Sequence, residues 1–97
     1  MRSAVRFPVR LPIAVRDRMG EHVAITDDMS AGGVLFEIDA EMTVGSNIEF
    51  TISIPASVIG APADVMVSGE GRVVRCAPQD GRKQVAAVID EYRFERA

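Results

Sequence analysis

The chain has 97 residues, enough to enclose one hydrophobic core and too few for a catalytic and a regulatory domain side by side. Its composition, 47% apolar and 26% charged, is that of a packed domain and excludes wholesale disorder. A formal charge of -3, from 14 acidic and 11 basic residues, removes the overall positive field on which binding to nucleic acid polymers depends. The sign is uneven, however. Arg2, Arg6, Arg10, Arg16 and Arg18 face only Asp17 in the opening stretch, which points to an anion site near that end. Cys76 has no partner for an internal disulfide and reads as a small apolar filler in a strand. No apolar run approaches the ~20 residues of a membrane span, and Arg6 and Arg10 interrupt any signal-peptide core. The reading is a cytoplasmic domain with no membrane insertion.

Taken in order, the residues alternate with period two. Val9, Leu11, Ile13 and Val15 face one side and Arg10, Pro12, Ala14 and Arg16 the other, the pattern of a half-buried strand. Pro12 donates no hydrogen bond, so this strand is expected at an edge or with a bulge. Val23 and Ile25 repeat the apolar alternation as far as Thr26-Asp27-Asp28; Gly32-Gly33 then opens Val34, Phe36 and Ile38, with Leu35 opposite. Ile48, Phe50, Ile52 and Ile54 against Asn47, Glu49, Thr51 and Ser53 give the clearest strand. Pro55 to Ala63 reads as a loop.

Val65, Val67, Gly69, Gly71 and Val73 share one parity, and the glycines predict a sharply bent strand. Asp80-Gly81 is a type I′ hairpin signal leading into Val85, Ala87 and Ile89, with Ala86 and Val88 on the other face. Asp90 to Ala97 has room for at most one short helical turn. Six short strands in so small a chain expose fewest edges if the sheet closes. The expected fold is therefore all-β: a six-stranded antiparallel barrel over 9–91, preceded by a flexible arginine arm over 1–8, in one domain spanning 1–97.

Two groups of residues carry chemistry. Arg2 and Arg6, four apart, fall on one face whether extended or helical, and backward parity places Arg10 with them on the solvent side. A guanidinium grips phosphate bidentately, pairs with a guanine edge or stacks on a base. In Asp28-x-Ser30-x-x-Gly33, an extended start sends Asp28 and Ser30 to one side, where the carboxylate accepts from a guanine edge and the hydroxyl bonds another polar group. Gly33 lets a base approach closely, and Gly32-Gly33 permits a turn. Each group alone also fits an ordinary role, solvated strand-face arginines in one case and a polar turn in the other.

Together, Arg2-x-x-x-Arg6, the run Arg6-Phe-Pro-Val-Arg-Leu-Pro-Ile-Ala-Val and Asp28-Met-Ser-Ala-Gly-Gly33-Val resemble the opening of PilZ domains, with their RxxxR and [D/N]xSxxG signatures. The 22 positions from Arg6 to Asp28, one strand-turn-strand, are similar to the family spacing. The resemblance continues through Val44-Gly45-x-x-Ile48-x-Phe50, Gly71-Arg-Val-Val-Arg75 and Tyr92-Arg-Phe94, across essentially the whole chain. It implies a β-barrel that binds the bacterial second messenger cyclic di-GMP. Arg2 and Arg6 would contact phosphate and guanine, and Asp28, Ser30 and Gly33 would receive a base edge. Arg10, Gly32 and Arg75 flank these motifs as secondary candidates.

An enzyme finds no support in the sequence. His22 is the single histidine, no nucleophile-base arrangement assembles around it, and there is no metal-ligand spacing or glycine-rich phosphate loop. The expectation is a ligand-responsive effector without cofactor or metal, acting on a protein partner. An interaction-only barrel of the same family, working in a motility or secretion assembly, is the alternative.

Overall fold

Strand forms wherever the period-two alternation is sustained. In the computed structural model, which describes residues 10–30 and 32–96, the elements are β1 (Pro12–Asp17), β2 (Gly20–Ser30), β3 (Gly33–Ile38), β4 (Asn47–Ile54), α1 (Ala56–Ile59), β5 (Val65–Gln79) and β6 (Arg82–Arg96). Every paired neighbour is antiparallel, and the order β1-β2-β3-β6-β5-β4 closes through β1 and β4. This is the closed six-stranded barrel expected from the sequence. Its interior holds Ile13, Val15, Val34, Phe36, Ile38, Ile48, Phe50, Ile52, Val73 and Val85, all buried. Cys76 packs against the edge of this cluster. No helix of the described residues is long and apolar enough to cross a membrane. The arm expected over 1–8 lies outside the described residues.

Three local expectations need correction. On β2 the inward residues are Ala24 and Thr26, not Val23 and Ile25; Val23 is 76% exposed. The register explains this: Ile13 pairs with Ala24 and Val15 with His22, so the small side chain falls behind the large ones of β1. Two valine-class residues on one parity outweighed an alanine and a threonine in the alternation, yet the barrel interior selects by volume. Second, β1 is not an edge. Pro12 is its first residue and pairs with β2 alone, while pairing to β4 starts at Ile13, so the missing N–H interrupts no bond on that side. Third, the chain from Asp90 makes no helical turn; it continues as strand to Arg96 along β5. Among the described residues the helical turn is α1, inside the expected loop, ended by Gly60 at φ 67°.

The β5–β6 turn is as expected. Asp80 and Gly81 both have positive φ, 51° and 81°, as type I′ requires, and Gln79 pairs with Arg82. Within this ladder one residue is extra on each strand. Val73 pairs with Ala87 but Arg75 with Ala86, which makes Val74 a bulge; Gly71 pairs with Ile89 but Glu70 with Glu91, which makes Asp90 another. Each extra residue reverses which side chains face the core. Hence Val74 is exposed, and Arg75 turns outward while Cys76 turns in.

The Asp90 bulge is held by Arg72, whose Nε and Nη2 donate to Asp90 Oδ2 and Oδ1 at 3.2 and 3.1 Å. Hydrogen bonding from Arg72 brings the Asp90 carboxyl below its ordinary pKa, aided by the charge of Arg72 and opposed by desolvation. A depressed folded-state value stabilises above the unfolded carboxylate range and is lost as pH falls through the lower folded value. An NMR titration should find Asp90 protonating below an ordinary aspartate, and Arg72→Ala should move it upward.

At Gly71 the bend brings β6 so close that a Cβ would strike the carbonyl oxygen of Val88. Gly71→Ala should therefore lower stability by about 1–3 kcal/mol through overpacking, read as a lower urea midpoint at unchanged slope.

Candidate functional site

A third bulge positions the motif residues. On β2, Thr26 pairs with Phe36 and Asp28 with Leu35, so Asp27 is the extra residue. In an uninterrupted strand, Asp28 and Ser30 would share parity with buried Ala24 and Thr26 and point into the core. The extra Asp27 reverses this. Asp28 joins the outer face beside Leu35, Ser30 follows it opposite Gly33, and Met29 between them packs on the core. Sequence parity could place Asp28 and Ser30 on one side, but it carried no sign of the bulge that decides which side.

Tracing the ladder outward gives two rows on this face. One runs Asp28–Leu35–Ala86–Arg75 and the other Ser30–Gly33–Val88–Arg72, across β2, β3, β6 and β5. Leu35, Ala86 and Val88 form a partly covered apolar floor, which Gly33 leaves low. A Cβ on Gly33 would lie 3.2 Å from the Ala87 carbonyl oxygen, tighter than ordinary contact. Just beyond Gly33, the Ile89 N–H donates to the Gly32 carbonyl at 3.0 Å, so Gly32 fixes the join of β3 and β6 through its backbone. Arg75 stands three strand spacings from Asp28, roughly 14 Å between backbones. The two flank the floor without touching each other's row position.

The segment carrying the arginine pair enters the barrel at the same bulge. Leu11 N–H donates to Thr26 Oγ1, and Thr26 N–H to the Leu11 carbonyl, both at 2.9 Å. Leu11 and Thr26 are buried, so the clamp is shielded from water. Arg10, exposed, reaches Asp27 Oδ1 at 2.7 Å and Glu37 Oε2 at 3.2 Å, and Gln84 Nε2 donates to the other Asp27 oxygen at 3.1 Å. The hydrogen bond that Arg10 donates to Glu37 and the charge of Glu37, then the charge of Asp27 and the hydrogen bond donated to it, raise the Arg10 pKa above the ordinary arginine value against a desolvation effect. Arg10 is thus occupied in bracing the bulge. Asp27, Glu37, Gln84 and Thr26 had no motif to announce them; their roles follow from register, which the sequence does not display.

Arg2 and Arg6 lie outside the described residues. Chemically the Asp28–Ser30 face offers a carboxylate, a hydroxyl and an apolar floor. That combination suits a planar base with N–H donors on its edge.

A cleft of about 530 Å3 opens elsewhere on the barrel, lined by Arg16, Asp17, Asn47, Glu49, Glu70 and Asp90 among others. Asp28, Ser30 and Gly33 are not among its described lining residues. Its four carboxylates oppose an anion, so chemistry favours the shallower outer face over the larger hollow.

Comparison with known proteins agrees with this architecture. The sequence matches the family model described as PilZ domain over residues 1–95. The fold is similar to that of the Bacillus subtilis inhibitor of motility MotI/DgrA, with TM-score 0.79 and 18% identity over 96% of this chain and 44% of that one. It also resembles the PilZ domain of CeSA from a cellulose-synthesizing bacterium, with TM-score 0.57 and 19% identity over 90% of this chain and 83% of that one. The chain therefore spans less than half the length of the motility inhibitor, and at these identities the likeness speaks for fold alone. No curated protein matches.

The clamp makes a direct prediction. Thr26→Val should leave the buried Leu11 N–H without its side-chain acceptor, at about 1–3 kcal/mol of stability. Leu11 amide exchange should accelerate more than that of Val67 on β5, opposite β2 in the barrel, whereas Arg10→Ala, at an exposed pair, should scarcely change the melting temperature.

Proposed function

Because the chain belongs to the PilZ domain family, we propose that it is a cyclic di-GMP receptor, a binding domain and not a catalyst, that passes ligand occupancy to a protein partner in the cytoplasm. The observation that carries this reading is the Asp27 bulge. It turns Asp28 and Ser30 of the DxSxxG motif to the outer face, beside the apolar floor. In this reading Asp28 accepts from the N1 and N2 donors of a guanine, Ser30 bonds a neighbouring polar edge, and the base lies over Gly33 and the Leu35–Val88 floor. Arg2 and Arg6 neutralise phosphate and stack on the second base. Arg75 and Gly32 border the ligand. Arg10 acts at one remove by keeping the bulge in place.

The response to ligand is a change of surface. Capture of a dianion by arginines beside the β2–β3 hairpin alters the charge that a partner meets there. An interaction-only domain that had abandoned the ligand would have no use for the RxxxR and DxSxxG residues together, and both sets are present. That favours the receptor reading.

Calorimetric titration tests it. Cyclic di-GMP should bind and cyclic di-AMP should not, since adenine lacks the N1 and N2 donors of guanine and turns a bare N1 acceptor toward the Asp28 carboxylate, and affinity should fall as salt rises. Arg6→Ala or Asp28→Ala should each weaken binding by roughly tenfold to more than a hundredfold, the equivalent of about 1.5–3 kcal/mol for a charge-assisted contact. Equal affinity for the two dinucleotides, or full affinity in both variants, would overturn the assignment.

A further inference from the structure

Among the described residues, β6 runs on past its partner β3. Pairing with β3 ends at Gly33–Val88, with one further bond from the Ile89 N–H to Gly32. Beyond it, among the described residues, Asp90 to Arg96 is bonded to β5 alone. This leaves a strand edge of seven residues, about 23 Å long, with backbone donors and acceptors facing outward. The Asp90 bulge sets what it displays. Tyr92 and Phe94 lie on the side that continues the core rows Phe50–Gly69 and Ile52–Val67, while Glu91, Arg93 and Glu95 lie on the other. The two rings meet edge to face at 5.6 Å and 89°, yet stay 42% and 66% exposed. Aromatic rings at an open edge are where a second strand gains most.

Charge identifies the strand. On the outer face the ladder sets Glu49 opposite Glu70 and Glu70 opposite Glu91, with Arg16 beyond Glu49. Like charges directly opposite are destabilising, and Glu91, at the open end of the row, calls for a cation next to it. A second copy of the same strand, antiparallel and centred on Tyr92, supplies one. Arg93 of the second copy falls opposite Glu91, and by symmetry its Glu91 falls opposite Arg93. The two Tyr92 rings then face each other on the inner side.

We propose that the 90–96 edge of β6 is a homodimer interface, pairing two copies through a two-fold axis at Tyr92 into one sheet continuous across both barrels. The association is isologous, so it closes at two copies and does not propagate. An edge this short buries little area, which predicts a weak dimer seen at micromolar to millimolar protein.

Sedimentation equilibrium of the whole chain tests the proposal, with circular dichroism to confirm folding of each variant. The wild type should dimerise with rising concentration. Glu91→Arg and Arg93→Glu should each be monomeric, a mixture of the two should associate, and the double variant E91R/R93E should recover the homodimer. Glu91→Arg removes a repulsion within the barrel and should fold, so it decides the matter even if Arg93→Glu does not fold. A wild type that stays monomeric throughout overturns the proposal. So does a dimer indifferent to both substitutions, and so do amides of residues 91–95 protected in the monomer, which would mean the chain covers its own edge. Rescue by R93E/E95R in place of E91R/R93E overturns the register.

Discussion

The extra residue at Asp27 is the constraint on which the rest of the candidate site depends. A β-ladder has only two faces, and nothing in side-chain chemistry alone can move a residue from one to the other. Asp28 and Ser30 are too polar for a core filled with Phe36, Ile13 and Val15, yet lie at even spacing from the buried Ala24 and Thr26. One unpaired residue resolves the conflict. Because a bulge costs ladder bonds, it must be braced. Here Thr26 fastens it to Leu11 below, while Arg10, Glu37 and Gln84 hold the Asp27 carboxylate from outside. The candidate face and its scaffold are thus built from alternating residues of one short segment.

The same device recurs with different effect. Val74 turns Arg75 outward and lets Cys76 reach the core, and Asp90 turns the aromatic pair of the last strand to the inner side. In each case a charged or bulky residue would otherwise face the wrong environment. Glycines complement the bulges by allowing strands to approach where curvature is greatest, as at Gly71 against Val88. Barrel shape and surface chemistry therefore share one origin in the irregularities of the ladder.

How much of this was legible in the sequence follows from the same physics. Long, strict alternation, as in Ile48–Ile54 and Val34–Ile38, announces both the strand and its inner face, because every apolar residue agrees. The type I′ turn was legible since Asp80-Gly81 is a local backbone requirement. The inner face of β2 was not, because Val23 and Ile25 imitate a buried row while Ala24 and Thr26 occupy it for reasons of volume set by β1. The far end of the last strand was missed because the chain from Asp90 onward mixes charge and aromatics with no clear period, and its conformation comes from β5 across the ladder. Asp28, Ser30 and Gly33 could be grouped by spacing and resemblance. Their braces could not, since Asp27, Glu37 and Gln84 converge only through register.

The β5–β6 hairpin also has a meaning in time. Its turn is preset by two residues at positive φ, and its arms zip outward from Gln79 and Arg82 through contacts that begin close in sequence. The seam between β3 and β6 is the opposite case: Ile38–Lys83 through Gly33–Val88 join segments separated by two other strands and the α1 turn. Loop-closure entropy favours the hairpin first and the seam late, the order typical of slow, non-local β topologies. The outer floor beside Asp28 consists of Leu35 from one side of that seam and Ala86 and Val88 from the other. The candidate platform is consequently among the last surfaces of the molecule to come into existence as it folds.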